Sequence, residues 1–159
     1  MNKTYLLLGS NLGNSRHQLT TARNHIQKYV GTILKQSALY NTAAWGLRDQ
    51  PDFINQVVVV ETSLAALGCL HEILAIEKKM GRIRTLKNAP RVIDIDILFF
   101  NRLIMHTQML TIPHPFIQER RFVLVPLNEL SPRFIHPVFN KTVSWLLKQC
   151  PDELDVKKI

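Results

Sequence analysis

The segment Arg91-Val92-Ile93-Asp94-Ile95-Asp96-Ile97-Leu98 restricts the fold of this chain more than any other. Residues two apart on a strand share a face, so a strand here turns Ile93, Ile95 and Ile97 to a core and Asp94 and Asp96 to the opposite side. Aspartate is depleted from strands, and two like charges roughly 7 Å apart repel unless a cation or an arginine neutralises them. A hard divalent ion such as Mg²⁺ is a natural partner for such a pair. The plainer alternative is a solvated sheet face with surface ion pairs.

Elements on either side place this strand in a layered fold. Tyr5 to Leu8 reads as a buried strand ended by Gly9-Ser10-Asn11-Leu12-Gly13. Ser15 and Gln18 form a capping-box pattern for a helix with Leu19, Ala22, Ile26 and Val30 on one face, stopped by Gly31. Thr32 to Tyr40 is expected as a second strand and Phe53 to Thr62, with its run of four valines, as a third. Ser63 is expected to cap a helix over Leu64 to Met80 with an apolar stripe of Leu67, Leu70 and Leu74. Ile93 to Phe100, a turn at Asn101-Arg102 and a returning strand over Leu103 to Leu110 form a predicted hairpin. Short helical turns over Phe116 to Arg120 and Phe122 to Leu130, and a helix capped by Thr142 that runs through Gln149, complete the chain. The order predicts an α+β fold with a ferredoxin-like βαββαβ core, an extra hairpin strand, a mainly antiparallel sheet and helices packed on it.

Length and composition bound the rest. The 159 residues suit one domain, residues 1–159. Hydrophobic residues at 46% and charged residues at 20% exclude disordered and low-complexity classes. Cys69 and Cys150 lie far apart, outside any CxxC pair, and suggest neither a zinc site nor a disulfide framework. Apolar runs are too short to span a bilayer and the first residues lack the pattern of a signal peptide, so a cytoplasmic location is expected. The net charge of +8 points to anionic partners: phosphate esters, nucleic acid or acidic lipid heads.

The charge is concentrated beside the carboxylates. Lys78 to Arg91 holds six basic residues (Lys78, Lys79, Arg82, Arg84, Lys87 and Arg91) and no acidic one. A polyphosphate needs such an arrangement, with metal on one side and Arg or Lys on the other, although a charge run also serves as a solvated face. His114, locked between Pro113 and Pro115, and Arg120-Arg121 add a second basic cluster. Glu77 continues the helical stripe with a charge, and so either leaves the core or faces a site. Phe53 and Asn55 share a strand face, which suits stacking and hydrogen bonding of a flat heterocycle. Gly9 to Gly13 joins a strand to a helix without the Gly-Lys-Ser/Thr of a P-loop.

Taken together, these segments resemble the 6-hydroxymethyl-7,8-dihydropterin pyrophosphokinase (HPPK) family over essentially the whole chain. KNAPRVIDIDIL, Lys87 to Leu98, carries the likeness most specifically. GSNLG near the start, DQPDFINQVV at Asp49 to Val58, GRIR at Gly81 to Arg84 and PHPFIQERRFVLVPL at Pro113 to Leu127 stand in the family order. The resemblance implies transfer of pyrophosphate from ATP to the hydroxymethyl group of a dihydropterin, with release of AMP, in folate biosynthesis. It implies two Mg²⁺ ions on Asp94 and Asp96, and Arg82, Arg84 and Arg91 acting with them on the phosphates. It places the nucleotide against Glu77, Arg82, Arg84, Arg91, Ile97, Thr111, His114 and Arg120, with Arg82 and Arg84 on a loop that closes over ATP. The pterin is implied between Phe53 and Phe122, read by Asn55 and by Thr42, Ala43, Ala44 and Trp45. This chain departs from the family in carrying Asn88-Ala89 where many members have Trp-Gly, and Met109 where some have Arg.

Two other readings share the charge and topology: a basic ferredoxin-like nucleic-acid-binding module, and a domain that holds a nucleotide without turning it over. The aromatic pattern of an RNA-binding sheet is missing from the sequence, which leaves the first without its stacking platform. A monomer is expected, since no separate apolar stripe suggests an interface.

Overall fold

A computed structural model describes residues 1–44, 49–83 and 89–159. Strand β1 (Asn2–Ser10) is the axis of the molecule. It pairs antiparallel with β4 (Phe53–Thr62) on one side and β5 (Asp94–Phe100) on the other. On the far side of β4 lie β2 (Thr32–Gln36) and β3 (Tyr40–Thr42), and β8 (Val156–Lys158) pairs with β3. Every pairing is antiparallel, and β5, β1, β4 and the β2–β3 edge reproduce the ferredoxin-like order.

Alternation along the central strands creates two cores. Leu6, Leu8, Val58, Val60, Ile95 and Ile97 face α1 (Ser15–Tyr29) and α2 (Ala66–Lys79), meeting Leu19, Ala22, Ile26, Ile73 and Ile76. Tyr5, Leu7, Val57, Val59 and Phe99 face the other way, against Val123, Leu124 and Leu127 of α3 (Arg121–Leu130) and Val143 and Leu146 of α4 (Val143–Gln149). Continued along the strands, that second face becomes Gly9 on β1, Asn55 and Phe53 on β4, and Asp94 and Asp96 on β5. One face of the sheet is thus a core at one end and polar at the other.

Several local expectations change. The N-cap of α1 is Asn14, whose side chain accepts from the His17 N–H at 3.1 Å, and Ser15 is the first helical residue. Helix α2 begins at Ala66 without a side-chain cap, so Ser63 does not start it. Its buried face is Ala66, Cys69, Ile73 and Ile76, while Leu67 and Leu74 are exposed. Both stripes have helical spacing; the sheet takes the one whose small residues, Ala66 and Cys69, allow close approach. The Thr32 to Tyr40 strand is interrupted at Ser37, whose hydroxyl accepts from the Val57 N–H and whose carbonyl accepts from Gln56 Nε2. Leu103 to Leu110 does not return along β5. Instead β6 (Met105–His106) pairs with β7 (Thr111–Ile112) in a separate two-stranded ribbon. Cys69 and Cys150 are free thiols, and no helix among the described residues is long and apolar enough to cross a membrane.

Candidate active site

The strand register assembles the site. Gly9 stands opposite both Asn55 and Asp94, and Leu7 opposite Asp96, so three strands bring the amide and the carboxylates to one surface. A Cβ on Gly9 would lie 2.6 Å from Asn55 Oδ1. Glycine is therefore required here for close approach rather than for backbone freedom. Asn55 is buried and donates to Thr42 Oγ1 at 2.7 Å, which fixes its amide plane.

Two concavities flank this surface. One, with about 490 Å³ of empty space, is bounded by Gly9, Thr42, Ala43, Phe53, Asn55 and Phe122 together with Arg91, Asp94, Asp96 and Arg120. The other, about 1020 Å³, is bounded by Glu77, Arg82, His114, Phe116, Leu70, Leu74 and Met109 together with the same four charged residues. An aromatic and amide-lined cleft and a basic cleft therefore meet at Asp94 and Asp96.

The charges are interlocked. Arg82 Nη1 bridges Glu77 Oε2 at 2.7 Å and Asp94 Oδ1 at 2.6 Å, while Arg91 Nη1 reaches Asp94 Oδ2 at 3.1 Å. Glu77 is buried at the end of α2 and also accepts the Ile95 N–H at 2.8 Å, joining that helix to β5. Burial, followed by the charges of Asp94 and Glu77, pushes the Asp96 carboxyl above the usual carboxylate range, against the pull of Arg120 and Arg82. Burial and the neighbouring Arg120 lower His114 to about 4, and its Nδ1 accepts from the Phe116 N–H at 3.2 Å. A neutral ring with Nδ1 occupied offers Nε2–H to the basic cleft. The Arg91 guanidinium lies 5.5 Å from the Phe53 ring centroid and that of Arg120 5.7 Å from Phe122, so both aromatic walls carry a cation at their edge of the junction.

The match to known proteins is direct. The family model for 7,8-dihydro-6-hydroxymethylpterin-pyrophosphokinase (HPPK) covers residues 5–132. The chain belongs to the HPPK family. HPPK relatives include the 2-amino-4-hydroxy-6-hydroxymethyldihydropteridine pyrophosphokinases of Aquifex aeolicus, 38% identical over 89% of this chain and 88% of that protein, and of Methylorubrum extorquens, 40% identical over 85% of this chain and 86% of that protein. The folic acid synthesis protein fol1 of Schizosaccharomyces pombe is 39% identical over 94% of this chain, which spans only 20% of that protein. A solved Plasmodium falciparum HPPK-DHPS chain with pteroate has the same fold, with a TM-score of 0.77 at 21% identity over 93% of this chain and 42% of that one.

Against the expectations drawn from the HPPK resemblance, most residues converge and a few do not. Thr42, Ala43, Phe53, Asn55 and Phe122 line one cleft, Glu77, Arg82 and His114 the other, and Arg91, Asp94, Asp96 and Arg120 both. The Ile97 side chain is packed into the core against α1 and α2, Ala44 is buried, and Thr111 lies in β7; none of the three borders these clefts. Trp45 and Arg84 fall outside the described residues. Leu74, read from the sequence as core, is exposed and borders the basic cleft together with Leu70, which also packs against the core as expected, and Met109 is exposed there. Helices pack against both faces of the central strands, and among the described residues no open aromatic sheet is left for a nucleic acid to stack on.

Proposed function

We propose that this chain transfers pyrophosphate from ATP to the hydroxymethyl group of 6-hydroxymethyl-7,8-dihydropterin and releases AMP. The observation that carries this reading is the sharing of Asp94, Asp96, Arg91 and Arg120 by two clefts of different chemistry. A flat heterocycle fits between Phe53 and Phe122 with its polar edge on Asn55, and a triphosphate fits the cleft of Arg82, Arg91, His114 and Arg120. Two substrates held in this way meet at the carboxylates.

The donor set fits Mg²⁺. Asp94 and Asp96 offer two carboxylates from one strand face, and the described residues hold no cluster of three or more His, Cys, Asp or Glu side chains arranged as ligands. Mg²⁺ matches such a site because one or two carboxylates suffice when phosphate oxygens and water complete its shell. Two such ions, once bound, supply charge neutralisation and orientation of the triphosphate. The protein's own task is positioning and electrostatic stabilisation, which is most of what phosphoryl-type transfer asks of an enzyme. Arg82 and Arg91 stabilise the leaving and transferring phosphates, Arg120 and the His114 Nε2–H hold phosphate oxygens, and the aromatic walls exclude water from the acceptor hydroxyl. No covalent intermediate is needed: the hydroxyl oxygen bonds to the β-phosphorus as the bond from that phosphorus to the α,β-bridging oxygen breaks, AMP leaves with that oxygen, and the hydroxyl proton is released to solvent.

Incubation with ATP, Mg²⁺ and 6-hydroxymethyl-7,8-dihydropterin, followed by chromatography of the nucleotides, tests the reading. AMP is expected only when pterin and metal are both present. ADP as the product, or no turnover while ATP still binds, would contradict it.

A further inference from the structure

The Gly9-Ser10-Asn11-Leu12-Gly13 segment contains a residue that the functional reading leaves without a task. Asn11 follows the end of β1 and is only 4% exposed, although it is an amide in a connecting loop. Its side chain joins two separate segments. Nδ2 donates to Gln50 Oε1 at 2.8 Å and to the Pro51 carbonyl at 3.0 Å, while Oδ1 accepts the Arg91 N–H at 2.9 Å. The Asn11 N–H donates to the Arg91 carbonyl at 3.2 Å, which makes the contact with Arg91 two-sided.

The topology explains why one residue reaches both. β1 lies between β4 and β5 and runs antiparallel to each, so the starts of β4 and β5 flank the end of β1. Pro51 precedes Phe53 by two residues and Arg91 precedes Asp94 by three. The Arg91 guanidinium in turn lies beside the Phe53 ring and donates to Asp94. Only a side chain with a donor and an acceptor on one short planar group satisfies both segments, and asparagine is the smallest that does.

We infer that Asn11 is a positioning residue for the acceptor pocket. It holds the Phe53 segment and the Arg91 segment at a fixed separation, so that a ring stacked on Phe53 presents its hydroxymethyl group to the Asp94 and Asp96 pair. The inference rests on the pyrophosphoryl-transfer reading for its kinetic consequence, and on geometry alone for the tie itself.

Two substitutions separate the arms. Asn11→Asp keeps an acceptor for the Arg91 N–H and loses the donor to Gln50 and Pro51, whereas Asn11→Ala loses both. Loss of one such bond corresponds to roughly a three- to tenfold change and Asn11→Asp loses two, so it is expected to raise the pterin KM about tenfold or more with kcat within about twofold of wild type and the ATP KM unchanged. Asn11→Ala is expected to lower kcat about tenfold as well. Amide hydrogen exchange at Arg91 reads the tie without any turnover: wild-type protection in Asn11→Asp and clear loss of it in Asn11→Ala. Variants that lose thermal stability yet keep both KM values, or that raise both KM values equally, would overturn the inference. So would unchanged Arg91 protection in Asn11→Ala. A wild-type protein that forms no AMP would sink the functional reading and leave the exchange result to decide the tie. Should Asn11→Asp not fold, Gln50→Ala removes one acceptor of the same arm; a severalfold rise in pterin KM supports the inference, and an unchanged KM overturns it.

Discussion

Gly9 and Asn55 face each other across β1 and β4 so closely that the smallest side chain at position 9 would come within 2.6 Å of the Asn55 carboxamide oxygen, inside van der Waals contact. Asn55 has little freedom to yield, because it is buried and bonded to Thr42. Gly9→Ala is therefore expected to cost about 1–3 kcal/mol of stability through overpacking. It is also expected to weaken pterin binding about tenfold by displacing the amide that reads the ring edge. Calorimetric titration with the pterin, alongside thermal unfolding, checks both. Unchanged pterin affinity would show that Asn55 does not read the ring.

Asp96→Asn removes a charge from a buried position where burial, Asp94 and Glu77 all oppose it. The folded state is expected to keep or raise its thermal midpoint, while turnover is expected to fall by about two orders of magnitude or more through loss of a carboxylate proposed to hold metal. Activity within a tenth of wild type would remove Asp96 from the metal site.

Arg82→Ala and Asn55→Ala probe opposite clefts and are expected to separate cleanly. Asn55→Ala raises the pterin KM and spares the ATP KM. Arg82→Ala is expected to lower kcat more than it weakens ATP binding, since the proposed role of its guanidinium is to stabilise developing phosphate charge. Arg82→Ala also removes one of the partners of Glu77 inside the α2–β5 junction, so a fall in thermal midpoint is expected with it. Initial-rate kinetics with each substrate varied settle the matter; an equal loss toward both substrates in Asn55→Ala would contradict the division.

His136 supplies a pH dependence away from the site. It is buried against Phe99, its Nδ1 accepts from the Val138 and Phe139 N–H groups, and burial lowers it to about 4 from an ordinary 6.5. A folded-state pKa below the unfolded value means that stability is full above about 6.5 and declines as the pH falls toward 4, by roughly 2–3 kcal/mol from this group. Asn at this position keeps an acceptor near Nδ1 and does not titrate, so His136→Asn is expected to flatten that part of the acid limb. Denaturant unfolding of both proteins between pH 7 and pH 4 provides the comparison, and parallel curves would exclude His136 as a source.

The carboxylate face was legible in the sequence because alternation on β5 admits only one arrangement of Asp94 and Asp96 relative to Ile95 and Ile97. The same rule placed Phe53 with Asn55. It did not reveal which of two helical stripes on α2 meets the sheet, since Leu67-Leu70-Leu74 and Ala66-Cys69-Ile73 have equivalent spacing. Nor did it reveal β8, whose Lys157 and Lys158 carry no apolar alternation. Asn11 and Gly9 looked like turn residues, because their role arises from the meeting of three strand ends distant in sequence. An asparagine two residues after a glycine at the end of an apolar run was the available signal.

In the proposed reaction two clefts deliver a pterin hydroxyl to the β-phosphorus at Asp94 and Asp96. Parallel reactions with ATP labelled at the α-, β- or γ-phosphorus test it most directly. Pyrophosphoryl transfer puts β and γ label into the pterin product in equal amounts and leaves α label wholly in AMP. Transfer of γ label alone, with β label left in ADP, would contradict it.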